Sequence, residues 1–194
     1  MRRRDLVAGL GGLAVFGTAG LYALRDDLGD WVPAGTDGSG IGTHSDGDQP
    51  TEIEPVTVET LDAPHSNAGT LTVPVPGSVT VVDMFATWCS GCDDQLDNLA
   101  EVHEQVDESV QFVSVTNEAI GGGLTREDIR EFWRKHEGRW PVALDDEGKL
   151  TTRLDVRGLP HTAVTDPSGR VVYADQGVTD PDAVVSAVER ANSR

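Results

Sequence analysis

The stretch Val79-Thr-Val-Val-Asp-Met-Phe-Ala-Thr-Trp-Cys-Ser-Gly-Cys92 contains both cysteines of the chain and predicts a change from strand to helix. Its first half, residues 79–85, is an almost unbroken run of β-branched and apolar residues, which is typical of a strand buried on both faces. A stripe with helical spacing follows, made of Cys92, Leu96, Leu99, His103 and Val106. The sequence therefore predicts that the Cys-x-x-Cys pair lies where a strand ends and a helix begins.

This predicted junction suits a reactive cysteine. The first turn of a helix carries unpaired N–H groups and the positive end of the helix dipole, and both stabilise a thiolate. Because the thiolate is the nucleophile, Cys89 is predicted to react near neutral pH, and Cys92 to attack the mixed disulfide that results. Ser90 and Gly91 are small, so they leave Cys89 open to a substrate.

The composition excludes several other kinds of site. The 194 residues include 33 acidic and 15 basic ones, and the formal net charge of −18 would repel the phosphates of nucleic acids. Lys135 and Lys149 are the only lysines, which favours a halophilic protein over an ordinary acidic one. Two cysteines cannot build a structural disulfide framework or a four-cysteine zinc site, and no His-x-x-x-His pattern completes a mixed zinc site.

The N-terminal residues predict a membrane anchor. Three arginines precede Leu6–Leu24, an uncharged run of 19 residues, and about 17 to 25 apolar residues cross a membrane. Arg3–Val7 resembles a twin-arginine export signal, but no Ala-x-Ala triplet follows for cleavage. We therefore predict an uncleaved anchor over residues 1–25, with its arginines in the cytoplasm and the domain outside. A cleaved signal and a buried core helix are the alternatives.

A linker and one folded domain are predicted to follow. Residues 26–50 are rich in Asp, Gly, Ser and Thr without apolar periodicity, which indicates a flexible linker. The domain is predicted over residues 51–194 and begins with strands at Val56–Leu61 and Thr70–Val75. Prolines in and after the second strand place it at an edge of the sheet or mark its end.

Further patterns complete the order of elements. Strands are predicted over Val110–Thr116, Trp140–Leu144, His161–Thr165 and Arg170–Ala174. Helices are predicted after the capping box Thr125-x-x-Asp128, with Gly138 as the stop, over Lys149–Leu154, and after Asp180-Pro181. In an α/β sheet, loops that follow strands surround the site, so the glycine-rich loop of residues 117–124 is either a gate for Cys89 or a plain connector.

With this order of elements the chain resembles thioredoxin-fold proteins, and more closely the membrane-anchored TlpA/ResA-like thiol–disulfide oxidoreductases. The resemblance covers about residues 56–188 and is carried by Phe85–Cys92, Trp140–Val142, Val156–Thr162 and Asp166–Gly169. The strand pair before the central strand separates this group from plain thioredoxins. The resemblance implies an α/β thioredoxin fold: a central mixed β-sheet flanked by helices, with an extra N-terminal strand pair and an N-terminal membrane anchor helix.

The resemblance also implies roles for individual residues. Cys89 is the attacking thiol and Cys92 the resolving one. Pro160 matches the family's cis-proline, which lies against the disulfide and helps to hold a substrate strand, and Leu159 beside it is expected to contact substrate. Trp88, directly before the nucleophile, is expected to shield the site and form part of the docking surface, with plain packing as the alternative.

Three polar residues near the motif have open interpretations. Asp83 stands where thioredoxins place a buried acid, and a raised pKa would suit it to move a proton to or from Cys92. The alternative for Asp83 is a position against a polar edge. Gln95 stands where some ResA-like proteins carry a glutamate, so that titrating group is absent. His161 is either near Cys89, where it would stabilise the thiolate, or exposed to solvent.

The predicted function is thiol–disulfide exchange through Cys89 and Cys92, without a cofactor or metal. The family suggests that a monomer reduces disulfides of exported proteins, such as cytochrome c precursors or copper-site proteins, with electrons from a membrane thiol carrier. The alternative is a copper carrier that uses Cys89, Cys92 and His161, although copper carriers of this fold use a longer cysteine spacing. A peroxidase is a weaker alternative, because Thr87 is too close to Cys89 for the usual peroxiredoxin arrangement.

Overall fold

Residues 51–193 are described by the computed structural model, and they contain seven strands and four helices. Their order is β1 (Val56–Thr60), β2 (Gly69–Val73), β3 (Thr80–Phe85), α1 (Cys92–Gln105), β4 (Gln111–Thr116), α2 (Arg126–Lys135), β5 (Val142–Leu144), α3 (Lys149–Arg153), β6 (His161–Thr165), β7 (Val171–Gln176) and α4 (Pro181–Asn192). The strands and helices predicted within residues 51–193 all occur, with most ends shifted by no more than two residues.

The strands form one mixed sheet in the order β2-β1-β5-β4-β3-β6-β7. β4 is parallel to both β3 and β5, whereas the remaining neighbours are antiparallel. β2 lies at an edge, as its prolines predicted, and pairs with β1 as the expected N-terminal strand pair. The predicted α/β architecture with a central mixed sheet and flanking helices is confirmed.

β3 is covered on both faces of the sheet, with all six residues buried. Val81 and Phe85 on one face belong to a core that includes the buried residues of α1, α2 and α4. Val82 and Met84 on the other face belong to a second core that includes Leu150 of α3. A strand covered on both faces needs apolar residues at successive positions, which is why the sequence here shows an unbroken run.

Two details of the helices differ from the sequence prediction. The predicted buried stripe of α1 included His103, but in the structure His103 is exposed and its neighbour Val102 is buried. At the end of α2 the left-handed residue is Glu137, with φ of 51°, and the N–H of Gly138 donates to the Trp133 carbonyl. A methyl group at position 138 would overlap the Trp133 indole, so Gly138 is required for space.

The predicted anchor and linker, residues 1–50, lie outside the described residues. Between residues 51 and 193, no helix has the length and apolar character needed to cross a membrane.

Candidate active site

Cys89 and Cys92 form a disulfide at the junction of β3 and α1. α1 begins at Cys92, with Gly91 as the N-cap, and the Cys92 N–H donates to the Cys89 carbonyl. Cys89 is partly exposed, whereas Cys92 is fully buried. This difference in exposure is what the predicted order of attack requires, since only Cys89 can be reached from solvent.

Pro160 lies beside the disulfide motif, and the Leu159–Pro160 peptide bond is cis, as predicted. A Cβ atom added at Gly91 would lie 3.5 Å from Pro160 Cδ and 3.3 Å from a methyl group of Val178. Val178 is 49% exposed and was not predicted to be near the site. Leu159 is partly buried and packs against both cores, so its expected contact with substrate stays a prediction.

Trp88 is 74% exposed, so the alternative of plain packing is wrong. It lines a cleft of about 190 Å³ next to the disulfide. The other residues that line this cleft are Thr87, Cys89, Ser90, Asp93, Phe132, Lys135 and His136. An exposed indole beside Cys89 is suited to contact a substrate, which is the role expected of it.

Asp83 is 1% exposed and lies on the face of β3 that carries α1, between Val81 and Phe85. The Ser114 hydroxyl donates to Asp83 Oδ2 at 2.7 Å, and Trp140 Nε1 donates to that hydroxyl oxygen at 2.9 Å. Asp83 Oδ1 has no hydrogen-bond partner among the described residues. Burial raises the pKa of Asp83 to about 7, opposed in part by the Ser114 hydrogen bond.

This environment gives Asp83 a proton that it can exchange near neutral pH. A carboxyl group whose pKa is near the working pH can both accept and donate a proton during a reaction. The alternative interpretation, in which Asp83 lies against a polar edge, is wrong because β3 lies between β4 and β6 in the middle of the sheet. The predicted burial is confirmed, whereas the catalytic role stays a prediction.

Gln95 is fully buried and joins three elements through its amide. Its Nε2 donates to the hydroxyl oxygens of Thr162 in β6 and Thr179 before α4, at 2.8 and 2.7 Å. Its Oε1 accepts from the Thr179 N–H at 2.7 Å. Because Thr162 pairs with Asp83 in the sheet, this network lies next to the buried carboxyl group. The sequence indicated only that Gln95 does not titrate and gave no signal for Thr179.

His161 is 6% exposed, so the interpretation that it faces solvent is wrong. It pairs with Met84, whose side chain belongs to the second core, on the sheet face opposite Asp83 and α1. Burial lowers the pKa of His161, which favours the neutral ring. The sheet separates this ring from Cys92, so the structure does not support a copper site made of both cysteines and His161.

Glu118 fixes the backbone just before Trp88 and was not predicted from sequence. The Thr87 N–H donates to Glu118 Oε2 at 2.7 Å, and the Thr87 hydroxyl donates to Oε1 at 2.9 Å. Glu118 belongs to the loop after β4, so this loop helps to position the active-site segment. A gating role for the loop stays a prediction.

Together, the sheet, the strand–disulfide–helix junction and Pro160 define a thioredoxin-fold protein. The chain belongs to the Redoxin family, whose model matches residues 29–191. It is 25% identical over 102 residues to the thiol-disulfide oxidoreductase ResA of Bacillus subtilis, which covers 52% of this chain and 54% of that protein. It is 28% identical over 158 residues to the thiol:disulfide interchange protein DsbE of Escherichia coli K12, covering 73% and 77%.

The solved structures agree with the thioredoxin fold. A putative thiol:disulfide interchange protein DsbE from Chlorobium tepidum matches 74% of this chain and 97% of its own, with a TM-score of 0.62 at 20% identity, which shows the fold. The chain spans about half the length of the ResA proteins that it matches. The expected thioredoxin fold and the likeness to the TlpA/ResA-like family are confirmed.

Proposed function

We propose that this protein is a thiol–disulfide oxidoreductase of the ResA/DsbE type that acts through Cys89 and Cys92. The observation that carries the proposal is a disulfide at the start of a helix whose two cysteines differ in exposure, since Cys89 is partly exposed and Cys92 is fully buried. The names of the relatives, thiol-disulfide oxidoreductase and thiol:disulfide interchange protein, support the same chemistry.

In the first step the Cys89 thiolate attacks one sulfur of a substrate disulfide. The S–S bond of the substrate breaks, a mixed disulfide with Cys89 forms, and the other substrate sulfur leaves as a thiolate that takes up a proton. The unpaired N–H groups at the start of α1 stabilise the Cys89 thiolate, which raises the fraction of reactive protein.

In the second step Cys92 displaces the remaining substrate thiol. Cys92 must lose a proton to become the nucleophile, and Asp83 is the buried base that we assign to accept it. Both residues lie on the same side of β3, since Cys92 packs in the core that contains Val81 and Phe85. The net reaction oxidises the two cysteines to a disulfide and reduces one substrate disulfide to two thiols.

We place this reaction outside the cytoplasmic membrane of a halophilic cell. The placement is supported by three arginines, the uncharged run Leu6–Leu24 and the net charge of −18. The substrates would then be disulfides of exported proteins, such as cytochrome c precursors or copper-site proteins, and a membrane thiol carrier would return the electrons.

The roles of the two cysteines can be separated by trapping. Cys92→Ser leaves the first step intact and blocks the second, so it should accumulate mixed disulfides with substrates on non-reducing gels of whole membranes. Cys89→Ser should trap far less, because Cys92 is buried. The wild-type protein should also speed the reduction of insulin by dithiothreitol. Equal trapping by the two variants would refute the assignment of the nucleophile, and failure to reduce insulin together with no trapping would refute the function.

A further inference from the structure

The cleft beside Cys89 has two walls, and the proposed exchange reaction uses only one of them. Residues 87–90 and Asp93 form the wall at the disulfide, and Phe132, Lys135 and His136 at the end of α2 form the other. Neither Leu159 nor Pro160 lines this cleft. A protein strand held against Pro160 therefore leaves the α2 wall free for a different part of a substrate or for a different substrate.

Lys135 makes the α2 wall unusual for this chain. The protein carries a net charge of −18 and has two lysines, and one of them lines the same cleft as Cys89. Among residues 51–193 no carboxylate lies within 4.0 Å of the Lys135 ammonium group, whereas Lys149 is ion-paired with Glu147. Lys135 is exposed, so its charge is available to a ligand in the cleft.

The other groups in the cleft define what this charge can bind. Asp93 is the opposing charge and lies on the α1 side, where it suits an ammonium or amide N–H group. Phe132 and His136 pack together, with ring centroids 4.5 Å apart, and with Trp88 they supply an apolar surface for a short carbon chain. The cleft thus offers a reactive sulfur, an apolar surface and a cation.

The size of the cleft favours a small ligand. Drug-sized ligands occupy pockets of about 300–1,000 Å³, whereas this cleft measures about 190 Å³. We infer that the cleft binds one half of a low-molecular-weight organic disulfide that bears a carboxylate, such as an amino-acid or dipeptide disulfide, with the carboxylate at Lys135. This inference rests on the proposed function and names a substrate class for it.

The chemistry balances without a further reactant. The Cys89 thiolate attacks the organic disulfide RSSR, the S–S bond breaks, and one RS⁻ leaves and takes up a proton. Cys92 then attacks Cys89, which releases the second RS⁻ and restores the protein disulfide. Two cysteine thiols are oxidised and two organic thiols are formed. In the reverse direction, two molecules of the organic thiol reduce the protein disulfide and so supply its electrons.

Matched small disulfides test the inference on the reduced full-length protein. Dithiodipropionate, bis(hydroxyethyl) disulfide and cystamine are similar in size and carry carboxylates, no charge and ammonium groups, respectively. The measured quantity is the rate constant for dithiodipropionate divided by that for cystamine, at low salt. The intrinsic reactivity of Cys89 cancels in this ratio.

Lys135→Gln is the test variant, and Lys149→Gln is its control because it also removes one exposed lysine charge. An exposed ion pair changes a binding or rate constant by at most about fivefold, and the anionic and cationic reagents respond in opposite directions. We therefore expect Lys135→Gln to lower the ratio by about threefold to tenfold. Lys149→Gln should leave the ratio unchanged, and Lys135→Arg should keep most of it. Equal effects of Lys135→Gln and Lys149→Gln, or no effect of either, would overturn the inference.

Two further measurements separate this inference from the proposed function. Insulin reduction should be unchanged in Lys135→Gln, because we expect a protein substrate to lie along Pro160 and not against the α2 wall. A loss of insulin reduction as large as the loss with dithiodipropionate would show that the cleft serves protein substrates instead. Suppose that the wild type reacts with insulin and with bis(hydroxyethyl) disulfide, but that the ratio of the rate constants for dithiodipropionate and cystamine is the same in Lys135→Gln. In that case only the cleft assignment fails. If the wild type reacts with none of these disulfides, the proposed function fails.

Discussion

Replacing Asp83 with asparagine should change how the stability of the oxidised protein depends on pH. The carboxyl group is buried in the middle of the sheet, and Oδ1 has no hydrogen-bond partner among the described residues. Ionising it in the folded state is therefore costly, whereas in the unfolded chain it is solvated. Asparagine keeps the shape of the side chain and removes the titration, so the difference between the two proteins isolates this one group.

The magnitude follows from the two pKa values. The pKa of Asp83 is about 7 in the folded protein, against an ordinary value of 3.8. Each unit of difference corresponds to about 1.4 kcal/mol, so the free energy of unfolding should fall by about 4 kcal/mol between acid and mildly alkaline pH. Because the folded pKa is raised, the favourable contribution is fully present below about pH 4 and is lost as the pH rises through about 7.

Asparagine brings a cost of its own that does not depend on pH. Its carbonyl oxygen can accept the Ser114 hydrogen bond, but its NH₂ group then lies where Oδ1 has no partner. An unpaired buried donor costs about 1–3 kcal/mol. We therefore expect Asp83→Asn to be less stable than the wild type at about pH 4 and more stable at about pH 8, with the difference curve crossing zero between them.

Denaturant unfolding at constant salt, from about pH 4 to pH 8, measures this difference. Asp166→Asn is an informative control, because ionisation of Asp166 stabilises the folded protein whereas ionisation of Asp83 destabilises it. Burial opposes ionisation of Asp166, but hydrogen bonds from Ser168 and from the Arg170 N–H hold its pKa below the usual value. Its stabilisation is present above its unfolded pKa and is lost only at lower pH. A difference between Asp83→Asn and the wild type that stays constant across the range would refute the argument.

Two further substitutions test the packing around the site. Gln95→Leu removes three hydrogen bonds and leaves the Thr179 N–H buried without its partner, so denaturant unfolding should show a loss of about 2–4 kcal/mol; a loss below 1 kcal/mol, as is usual for surface changes, would contradict the network. Gly138→Ala places a methyl group on the Trp133 indole and should lower stability by about 1–3 kcal/mol in the same assay. The exposed Gly122 has φ of 60° and nothing near its Cβ position, so Gly122→Ala is a control for backbone strain without overlap.

The fold was predictable from sequence because its determinants are local. The apolar run of β3, the helical stripe of α1 and the capping box of α2 each lie within a few residues of one another. The burial of Asp83 could also be predicted, since Val81 and Phe85 flank it on the same face. The cis bond before Pro160 came from the family resemblance alone, and a second cis bond before Pro74 was not predicted.

The contacts that complete the site could not be predicted, because they join distant residues. Gln95 reaches Thr162 and Thr179 across 67 and 84 positions of sequence, and no local pattern marks such a pairing. The sheet face on which the His161 side chain lies could not be predicted from the sequence either. All five residues of β6 are buried, so the strand shows no alternation of apolar and polar positions that would indicate which face the imidazole takes.

The two buried polar side chains Asp83 and Gln95 have different properties. Asp83 can gain or lose a proton, whereas Gln95 stabilises the structure through hydrogen bonds. Gln95 uses both amide atoms in hydrogen bonds that do not depend on pH, and these bonds connect α1 to β6 and to the segment before α4. Asp83 has an unpartnered oxygen and a pKa near 7. A carboxylate at position 95 would face the Thr162 hydroxyl oxygen, and residue Thr162 pairs in the sheet with Asp83, so a glutamate would add a second buried titratable group to this region. With glutamine there, Asp83 is the group that we propose accepts the Cys92 proton, and we expect the rate of the resolving step to follow the titration of Asp83.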